Sequence, residues 1–252
     1  WNIDDGSKNQ CMSLQMLEIA ARSGTKAIFA TPHVIERANK PSWEEIKEKT
    51  QQLRQLCAEA QIDIMLYPGA EVQMNWELLP ELGATGAYCL NGGRYLLIEL
   101  PAAEIPAYAD EFWYELELKG ITPILAHPER YQQLRENPDL LLLWRRRGML
   151  MQCNSGSFTG MFGSSVCENA KVLLANGLVD LLGSDGHRSE GRNTDMSRAA
   201  AVIRQLAGEE VLRQLTETNP QAILKNQEIE LKQPKVLLED KPKSFWQKLF
   251  GK

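Results

Sequence analysis

The sequence predicts an α/β fold, and it favours a closed β/α barrel over an open, doubly wound sheet. Two observations support this prediction. Six short apolar runs recur along the 252-residue chain, and helical stretches lie between most of them. Uninterrupted apolar runs of this length are typical of parallel strands that are buried on both faces. Strands that alternate with helices pair in parallel through right-handed crossovers.

The six apolar runs give the predicted strands in order. They read KAIFAT, IDIMLY, RYLLIEL, ITPILA, MLMQC and VDLLGS, at residues 26–31, 62–67, 94–100, 121–126, 149–153 and 179–184. The chain begins with a loop that leads into a helix, so the alternation of strands and helices also requires a strand before Trp1. We therefore expect a seven-stranded barrel whose first strand is missing from this sequence.

Capping residues and glycines set the limits of the predicted helices. Ser7 is the candidate N-cap of a helix over residues 8–23, which Gly24 ends. Ser42 and Glu45 form the S-x-x-E pattern of a capping box at the start of a helix over residues 42–60. The other predicted helices cover residues 104–119, 137–148, 165–176, 195–206 and 209–215.

Composition and missing motifs exclude several classes of protein. The net charge of −5 argues against a general nucleic-acid binder, and no apolar run approaches the length that spans a bilayer. Five scattered cysteines without a C-x-x-C pair indicate a reducing, cytoplasmic home. None of them begins the C-x5-R loop of cysteine phosphatases. A G-x-S-x-G elbow and a G-x-x-x-x-G-K-[ST] loop are also absent from the sequence.

The chain changes character near residue 232, which divides it into a body, residues 1–231, and a tail, residues 232–252. The tail has six lysines and two acids, a formal charge of +4. Its aromatic and apolar residues Phe245, Trp246, Leu249 and Phe250 would share one face of a short helix. We expect either a basic amphipathic tail that touches a membrane surface or a partner, or a tail that folds back on the barrel or frays.

All three histidines of the chain, and several acids, follow the ends of predicted strands. In a parallel barrel the carboxyl ends of the strands meet at one rim, where active sites form. Imidazole and carboxylate together suit manganese, iron or zinc, and so many ligands indicate two or three ions. The candidates at this rim are His33, Glu71, Glu99, His127, Asp185 and His187.

Two arginines fit phosphate chemistry at the same rim. Arg130 lies three residues beyond His127, and Arg192 five beyond His187. A guanidinium binds phosphate oxygens with two hydrogen bonds and stays charged, and metal clusters of this kind serve phosphoryl transfer. The alternatives are surface pairs with Glu129 and Glu190, and Arg188 competes with Arg192. Asn154 and Ser157 lie on this rim as pocket or turn residues.

The motifs resemble a known superfamily. IDDGSKN, FATPHV, YPGAEV, LLIELP, AHPERY and GSDGHR are similar, in order and spacing, to motifs of the polymerase-and-histidinol-phosphatase (PHP) superfamily. They most resemble its manganese-dependent protein-tyrosine phosphatases, which are encoded with bacterial capsule and exopolysaccharide synthesis. The resemblance runs from Ile3 to about Asn226 and implies a distorted seven-stranded, TIM-like β/α barrel with two to three ions, Mn2+ first and Fe or Zn as alternatives.

The resemblance also implies a reaction and its residues. The reaction is hydrolysis of phosphotyrosine on the tail of a cognate bacterial tyrosine kinase by metal-activated hydroxide, at the cytoplasmic face of the membrane and without a phosphoenzyme. Metal ligation carries over to Asp5, His33, Glu71, Glu99, His127, Asp185 and His187, and phosphate binding to Arg130 and Arg192.

Two alternatives use the same site. One is a PHP phosphoesterase acting on a small molecule such as histidinol phosphate, and the other is a non-catalytic regulator that binds the kinase tail. The family begins with a strand ending in His-x-His before the DDG turn, and this chain begins about where that motif ends. We therefore expect the histidine pair to lie upstream of Trp1.

Overall fold

The structure is a computed structural model that describes residues 1–83 and 86–231, together with Pro234. The predicted tail falls almost entirely outside the described residues. The strands are β1 (Ala27–Ala30), β2 (His33–Val34), β3 (Met65–Pro68), β4 (Glu71–Gln73), β5 (Tyr95–Glu99), β6 (Thr122–Ala126), β7 (Leu150–Asn154) and β8 (Leu181–Gly183).

Helices join the strands, as the sequence predicts. The α-helices are α1 (Gln10–Arg22), α2 (Trp43–Glu59), α3 (Ala109–Leu118), α4 (Gln132–Glu136), α5 (Asp139–Arg146), α6 (Ser155–Phe158), α7 (Ser164–Ala175), α8 (Ser197–Ala207), α9 (Glu209–Arg213) and α10 (Asn219–Leu224). Three 3-10 helices, Trp76–Glu81, Leu90–Gly92 and Pro128–Arg130, and a π-helical turn, Gln214–Thr218, complete them. Within the described residues, no helix is both long and apolar enough to cross a membrane.

All strand pairs of the described residues are parallel, which confirms the predicted α/β class. Six strands form one curled sheet in the order β2-β4-β5-β6-β7-β8, and β1 pairs with β3 beside it. The sheet is a curled half-barrel, and β2 and β8 are its edges among the described residues. Closure of this half-barrel by a seventh strand is the part of the prediction that is not tested. The strand expected before Trp1 stays a prediction.

The first two predicted strands correspond to β1 and β3, and each is followed by a further short strand, β2 or β4, that the prediction missed. Pro32 interrupts the ladder between β1 and β2, since proline has no N–H to donate. Gly69 follows β3, where a Cβ would lie 2.6 Å from Cδ2 of Leu90, so only glycine fits this approach. Beyond the two breaks, His33 and Glu71 are direct partners in the parallel register of β2 and β4.

The sheet is apolar on both faces, so its polar rim is the exception that needs explaining. Alternate residues of each strand enter one of two clusters. The inner cluster is smaller and includes Tyr95, Leu97, Ile124, Ala126, Leu150 and Leu181. The outer cluster packs under the helices and includes Leu96, Ile98, Leu125, Met151, Cys153 and Leu182.

The amino-terminal end of the sheet is closed by a buried ion pair. Arg145, at the end of α5, donates two hydrogen bonds to the carboxylate of Asp180, one of 2.8 Å, and both residues are buried. Asp180 also accepts the backbone N–H of Met151 in β7 at 2.8 Å, and its carbonyl accepts Nδ2 of Asn219 at 2.8 Å. This end therefore links α5, β7 and α10 by polar contacts that are sheltered from water.

Most predicted boundaries agree with the structure within two residues, but the second predicted strand begins at Met65 and not at residue 62. The helices differ from the prediction in other ways. The N-cap of α1 is Asn9, whose side chain accepts the N–H of Met12 at 2.9 Å, so the prediction of Ser7 is wrong. The third predicted helix begins at Ala109 and not at residue 104. The prediction also missed α10, which starts at Asn219 with Pro220 in its first turn. Ser42 is confirmed as the N-cap of α2 by its bond to the N–H of Glu45.

Candidate metal centre and phosphate site

The inner face of the sheet changes from apolar to polar toward the carboxyl ends of its strands. In β5, Tyr95 and Leu97 belong to the inner cluster, and Glu99 is the next residue on the same face. In β7, Leu150 is followed on that face by Gln152 and Asn154. Strand alternation thus explains why the polar groups of different strands meet in one place.

His33 and the first acidic turn form one side of the site. Asp4 accepts the N–H of His33 at 2.9 Å and that of Gly6 at 3.0 Å, which leaves the Asp5 side chain free to face the histidines. Oδ1 of Asp5 lies 3.9 Å from Nε2 of His33 and 3.6 Å from Nε2 of His187. These three residues form one group whose potential ligand atoms lie within 4.8 Å of one another.

His33, Glu71 and Glu99 form a second such group, so His33 is common to both. Nδ1 of His33 lies 3.4 Å from Oε1 of Glu99. That atom has no well-directed hydrogen bond among the described residues, although it is buried. A buried imidazole nitrogen surrounded by carboxylates is the environment of a metal ligand.

His127 is the most buried of the three histidines at the site. Its Nε2 is 2.8 Å from Oε1 of Glu71 and 3.9 Å from Oε2 of Glu99. Its backbone has φ 37°, in the left-handed region, and its N–H donates to the carbonyl of Gln152 in the neighbouring β7 at 2.8 Å. A left-handed histidine is uncommon, and here it turns the chain out of β6 while the imidazole stays buried.

Asp185 connects the histidines to the arginines. Its backbone is also left-handed, with φ 49°, and its Oδ1 lies 3.6 Å from Nδ1 of His187. Its Oδ2 accepts from Nδ2 of Asn154, from Arg192, and from Nη1 of Arg130 at 3.4 Å. The three donors come from the end of β7 and from the loops after β6 and β8, so one carboxylate oxygen links three parts of the rim.

The arginines lie where the sequence predicts them. The loop after β8 turns back because the N–H groups of His187 and Arg188 both donate to the carbonyl of Arg192. The surface pairs with Glu129 and Glu190 do not occur among the described ion pairs, and Arg188 is exposed. Both site arginines also stack over one ring, that of Phe162, with guanidinium carbons 4.7 and 5.6 Å from its centroid.

Glu129 supports the site and was missed as a functional residue by sequence reasoning. It is fully buried, and its Oε1 accepts the N–H of Asn154 at 2.9 Å and Oγ of Ser157 at 2.6 Å. Its carbonyl accepts Nδ2 of Asn169 in α7. The side chain of Asn154 therefore faces the site, where it donates to Asp185, and the hydroxyl of Ser157 fixes the carboxylate of Glu129 by donating to it. An acid between a histidine and an arginine in AHPERY was the available signal.

The acids surround both central imidazoles with negative charge, which favours the protonated form of each histidine. The contact with Glu99, against the opposing effect of burial, raises the pKa of His33 to about 9. Burial is the largest single effect and lowers the pKa of His127, but the hydrogen bond to Glu71 and the negative charge of that carboxylate together outweigh it, so the net direction is up. The site thus demands positive charge, which divalent cations can supply in place of protons. Charge, ligand types and the unpartnered buried nitrogens fit a metal centre.

Comparison with known proteins identifies the family. A family model for capsular polysaccharide synthesis proteins, CpsB/CapC, matches residues 1–225. The chain belongs to the CpsB/CapC family. The match includes every residue that the sequence predicts for the site, from Asp5 to Arg192.

Named CpsB/CapC relatives are tyrosine phosphatases. The tyrosine-protein phosphatase YwqE of Bacillus subtilis is 34% identical over 227 residues, which are 90% of this chain and 89% of that protein. The tyrosine-protein phosphatase CpsB of Streptococcus pneumoniae is 28% identical, over 90% and 96% of the two chains.

A solved structure agrees with the fold. Its chain comes from the crystal structures of YwqE and CpsB, which are described as unique metal-dependent tyrosine phosphatases. The two chains superpose with a TM-score of 0.87 and 32% identity, over 95% of this chain and 96% of the other. The curled parallel sheet of this protein is therefore the fold of its CpsB/CapC relatives.

Proposed function

We propose that this protein is a metal-dependent tyrosine-protein phosphatase of capsular or exopolysaccharide synthesis. Its substrate is the phosphotyrosine tail of a cognate bacterial tyrosine kinase. The observation that carries the proposal is the convergence of three histidines, four acids and two arginines on one rim of the sheet. Membership of the CpsB/CapC family, together with the tyrosine phosphatases among the relatives, supports phosphotyrosine hydrolysis as the reaction class.

Seven side chains would hold the ions. They fall into two overlapping sets, one around His33 and Asp5 and the other around His127 and Glu71. Divalent ions, with Mn2+ first and Fe or Zn as alternatives, would supply the positive charge that lowers the pKa of water and polarises a phosphoryl oxygen. The proposed ligands are Asp5, His33, Glu71, Glu99, His127, Asp185 and His187.

Arg130 and Arg192 would bind the phosphate. Their side chains are about one-third exposed, at 34% and 28%, so a ligand at the rim can reach them. Both guanidiniums already share an anionic oxygen of Asp185, which shows that two arginines can converge on one acceptor here. Phosphate offers more acceptor oxygens and more charge than a carboxylate, and arginine binds it with paired hydrogen bonds.

Three finer parts complete the proposal, of which the first two rest on the resemblance and the third on the composition of the tail. A strand ending in His-x-His upstream of Trp1 would complete the barrel and add two ligands. The kinase tail would be met at the cytoplasmic face of the membrane. The basic tail of residues 232–252 would touch that membrane, since anionic leaflets attract lysine-rich segments.

The test combines metal content with turnover. The full gene product is analysed for bound metal and assayed on a phosphotyrosine peptide with and without added Mn2+, beside His127→Ala and the surface control Tyr114→Phe. We expect two to three ions per chain and Mn2+-dependent hydrolysis, both retained in the control, with His127→Ala losing metal and at least about 100-fold in activity. Full activity after complete chelation contradicts the proposal.

Competition separates the alternatives. Histidinol phosphate that is hydrolysed with a higher kcat/KM than the peptide would favour the small-molecule phosphoesterase. Peptide that binds with metal present but is never hydrolysed would favour the non-catalytic regulator.

A further inference from the structure

We propose that Phe162 is a positioning residue for phosphate, because its ring holds the guanidiniums of Arg130 and Arg192 side by side at the mouth of the site. The inference rests on the proposed phosphatase function. It concerns a residue outside every motif that indicates the site from sequence. Phe162 touches neither the reacting phosphate nor a candidate ion, so it acts through the two arginines.

The first support is geometric. The guanidinium carbons of Arg130 and Arg192 lie 4.7 and 5.6 Å from the Phe162 centroid, inside the roughly 6 Å range of cation–π attraction. The two arginines come from different loops, after β6 and after β8, and Phe162 comes from a third, after β7. No other ring among the described residues stacks with either of them.

The second support is the construction of the loop that carries the ring. Gly160 and Gly163 have φ 81° and 94°, a conformation that side chains oppose, and they flank Met161 and Phe162 on either side. At Gly156 a Cβ would lie 3.1 Å from Cε2 of Phe162 and 2.9 Å from Sδ of Met161. Three glycines thus allow the loop to bring this ring to the arginines.

The third support is electrostatic. Two guanidiniums that share Oδ2 of Asp185 repel each other, and a neutral aliphatic side chain offers no compensation. An aromatic face carries negative potential, so it stabilises both cations without occupying their N–H donors. Stacking on the ring leaves the donor edges of the guanidiniums available to an incoming phosphate. The ring should therefore lower the cost of ordering the arginines before phosphate binds.

The experiment compares the metal-loaded wild type with Phe162→Leu, Phe162→Tyr and the control Tyr114→Leu, which removes an exposed ring on α3. Affinity for inorganic phosphate is measured by calorimetry, and KM and kcat on a phosphotyrosine peptide by steady-state kinetics. We expect Phe162→Leu to weaken phosphate binding and raise KM by about tenfold, with kcat within about twofold of wild type. Phe162→Tyr keeps the aromatic face and should restore both values.

The outcomes separate positioning from packing. If the ring is purely structural, Phe162→Leu keeps the wild-type affinity for phosphate, and that result overturns the inference. The inference is also overturned if Phe162→Tyr binds phosphate as weakly as Phe162→Leu does. Metal content and melting temperature should be unchanged in every variant. If Leu prevents folding, Phe162→Met, a flexible apolar side chain without a ring, takes its place.

The phosphatase proposal and this inference can fail separately. A wild type that binds phosphate but hydrolyses no peptide contradicts the phosphatase function, while calorimetry still tests Phe162. A wild type that binds no phosphate overturns the inference.

Discussion

Two residues at the rim combine an uncommon backbone conformation with a buried ionisable side chain. His127 and Asp185 both have left-handed backbones, and both have side chains that are more than nine-tenths buried. Such conformations cost of order 1–3 kcal/mol each and persist where the surroundings over-determine them. At His127 the hydrogen bond to Gln152 and at Asp185 the three donors on Oδ2 provide that constraint. Local strain is therefore held by contacts between loops.

The identities of the site residues could be predicted from sequence, while their partnerships could not. Histidines and acids at strand ends follow from strand length and alternation, which are local. That Oδ2 of Asp185 gathers Asn154 and two arginines depends on how three loops fold back together. Glu129 lies in the AHPERY motif, but its role as a buried hydrogen-bond acceptor is visible only from its contacts. Phe162 lies outside every motif, so only its contacts with the arginines reveal a role. The metal and phosphate roles of the named residues remain predictions.

At this scale we predict that thiol alkylation leaves the activity intact. Cys89 and Cys153 are fully buried, and burial raises the pKa of Cys89 to about 12 and that of Cys153 well above its ordinary value. Thiolate is the reactive form, so neither can act as a nucleophile at neutral pH. Iodoacetamide should label exposed Cys11 without changing kcat/KM on a phosphotyrosine peptide.

The control is a phosphatase with a C-x5-R loop, which the same treatment should inactivate. Loss of activity in step with the labelling of one cysteine of this protein would contradict the prediction.

Among the elements, the interruptions at Pro32 and Gly69 help to position the site residues, because the short strands that follow them carry His33 and Glu71. β1 and β3 form a separate two-stranded sheet. After Pro32 and Gly69 the chain forms β2 and β4, which belong to the six-stranded sheet. The breaks place His33 opposite Glu71. The sequence predicts two whole strands here because the apolar runs are continuous up to Thr31 and Tyr67. The break after β3 depends on the approach of Leu90, which lies about twenty residues away and leaves no local signal.

Helix caps provide a prediction about stability alone. Oγ of Ser42 accepts the N–H of Glu45 at 3.1 Å, so Ser42→Ala leaves that donor of α2 to water. We expect a loss of about 1 kcal/mol in the free energy of unfolding, measured by urea denaturation, with the same kcat/KM per folded molecule.

Ser197→Ala is the matched control for the cap. Ser197 begins α8 and has no side-chain hydrogen bond among those described, so its replacement should change stability by less than about 0.5 kcal/mol. Equal losses in the two variants would show that Ser42 does not act as a cap.

Across the whole molecule, stability and chemistry are placed at opposite ends of the sheet. The carboxyl ends of the strands hold the candidate metal and phosphate groups, and the amino-terminal end holds the Arg145–Asp180 pair. This division is typical of β/α folds, in which the loops after the strands carry the function. The sequence predicts the functional end well, because scarce histidines mark it. It gives no comparable signal for the other end, where one arginine and one aspartate are ordinary residues.

We therefore predict that Asp180→Asn lowers stability without altering the site. The substitution breaks the buried ion pair of Asp180 with Arg145 by removing the negative charge, and breaking a buried pair costs about 3–5 kcal/mol in the free energy of unfolding. Below the unfolding transition, phosphate affinity and KM should equal those of the wild type.

Asp63→Asn is the control for the ion pair. It removes an exposed pair with Lys26 of 3.0 Å and should cost less than about 1 kcal/mol. A change in phosphate affinity in Asp180→Asn that exceeds the change in Asp63→Asn would show that the two ends are coupled.

The order of the site residues along the chain has a consequence for synthesis. The proposed ligands run from Asp5 to His187, and the arginine that follows β8 is Arg192. A chain leaving the ribosome has most of its sheet before it has the last carboxylate, imidazole and guanidinium. Products of interrupted translation that end before β8 can thus bury much of the core while lacking groups that the chemistry needs. The proposed activity therefore requires a chain that extends through β8 to Arg192.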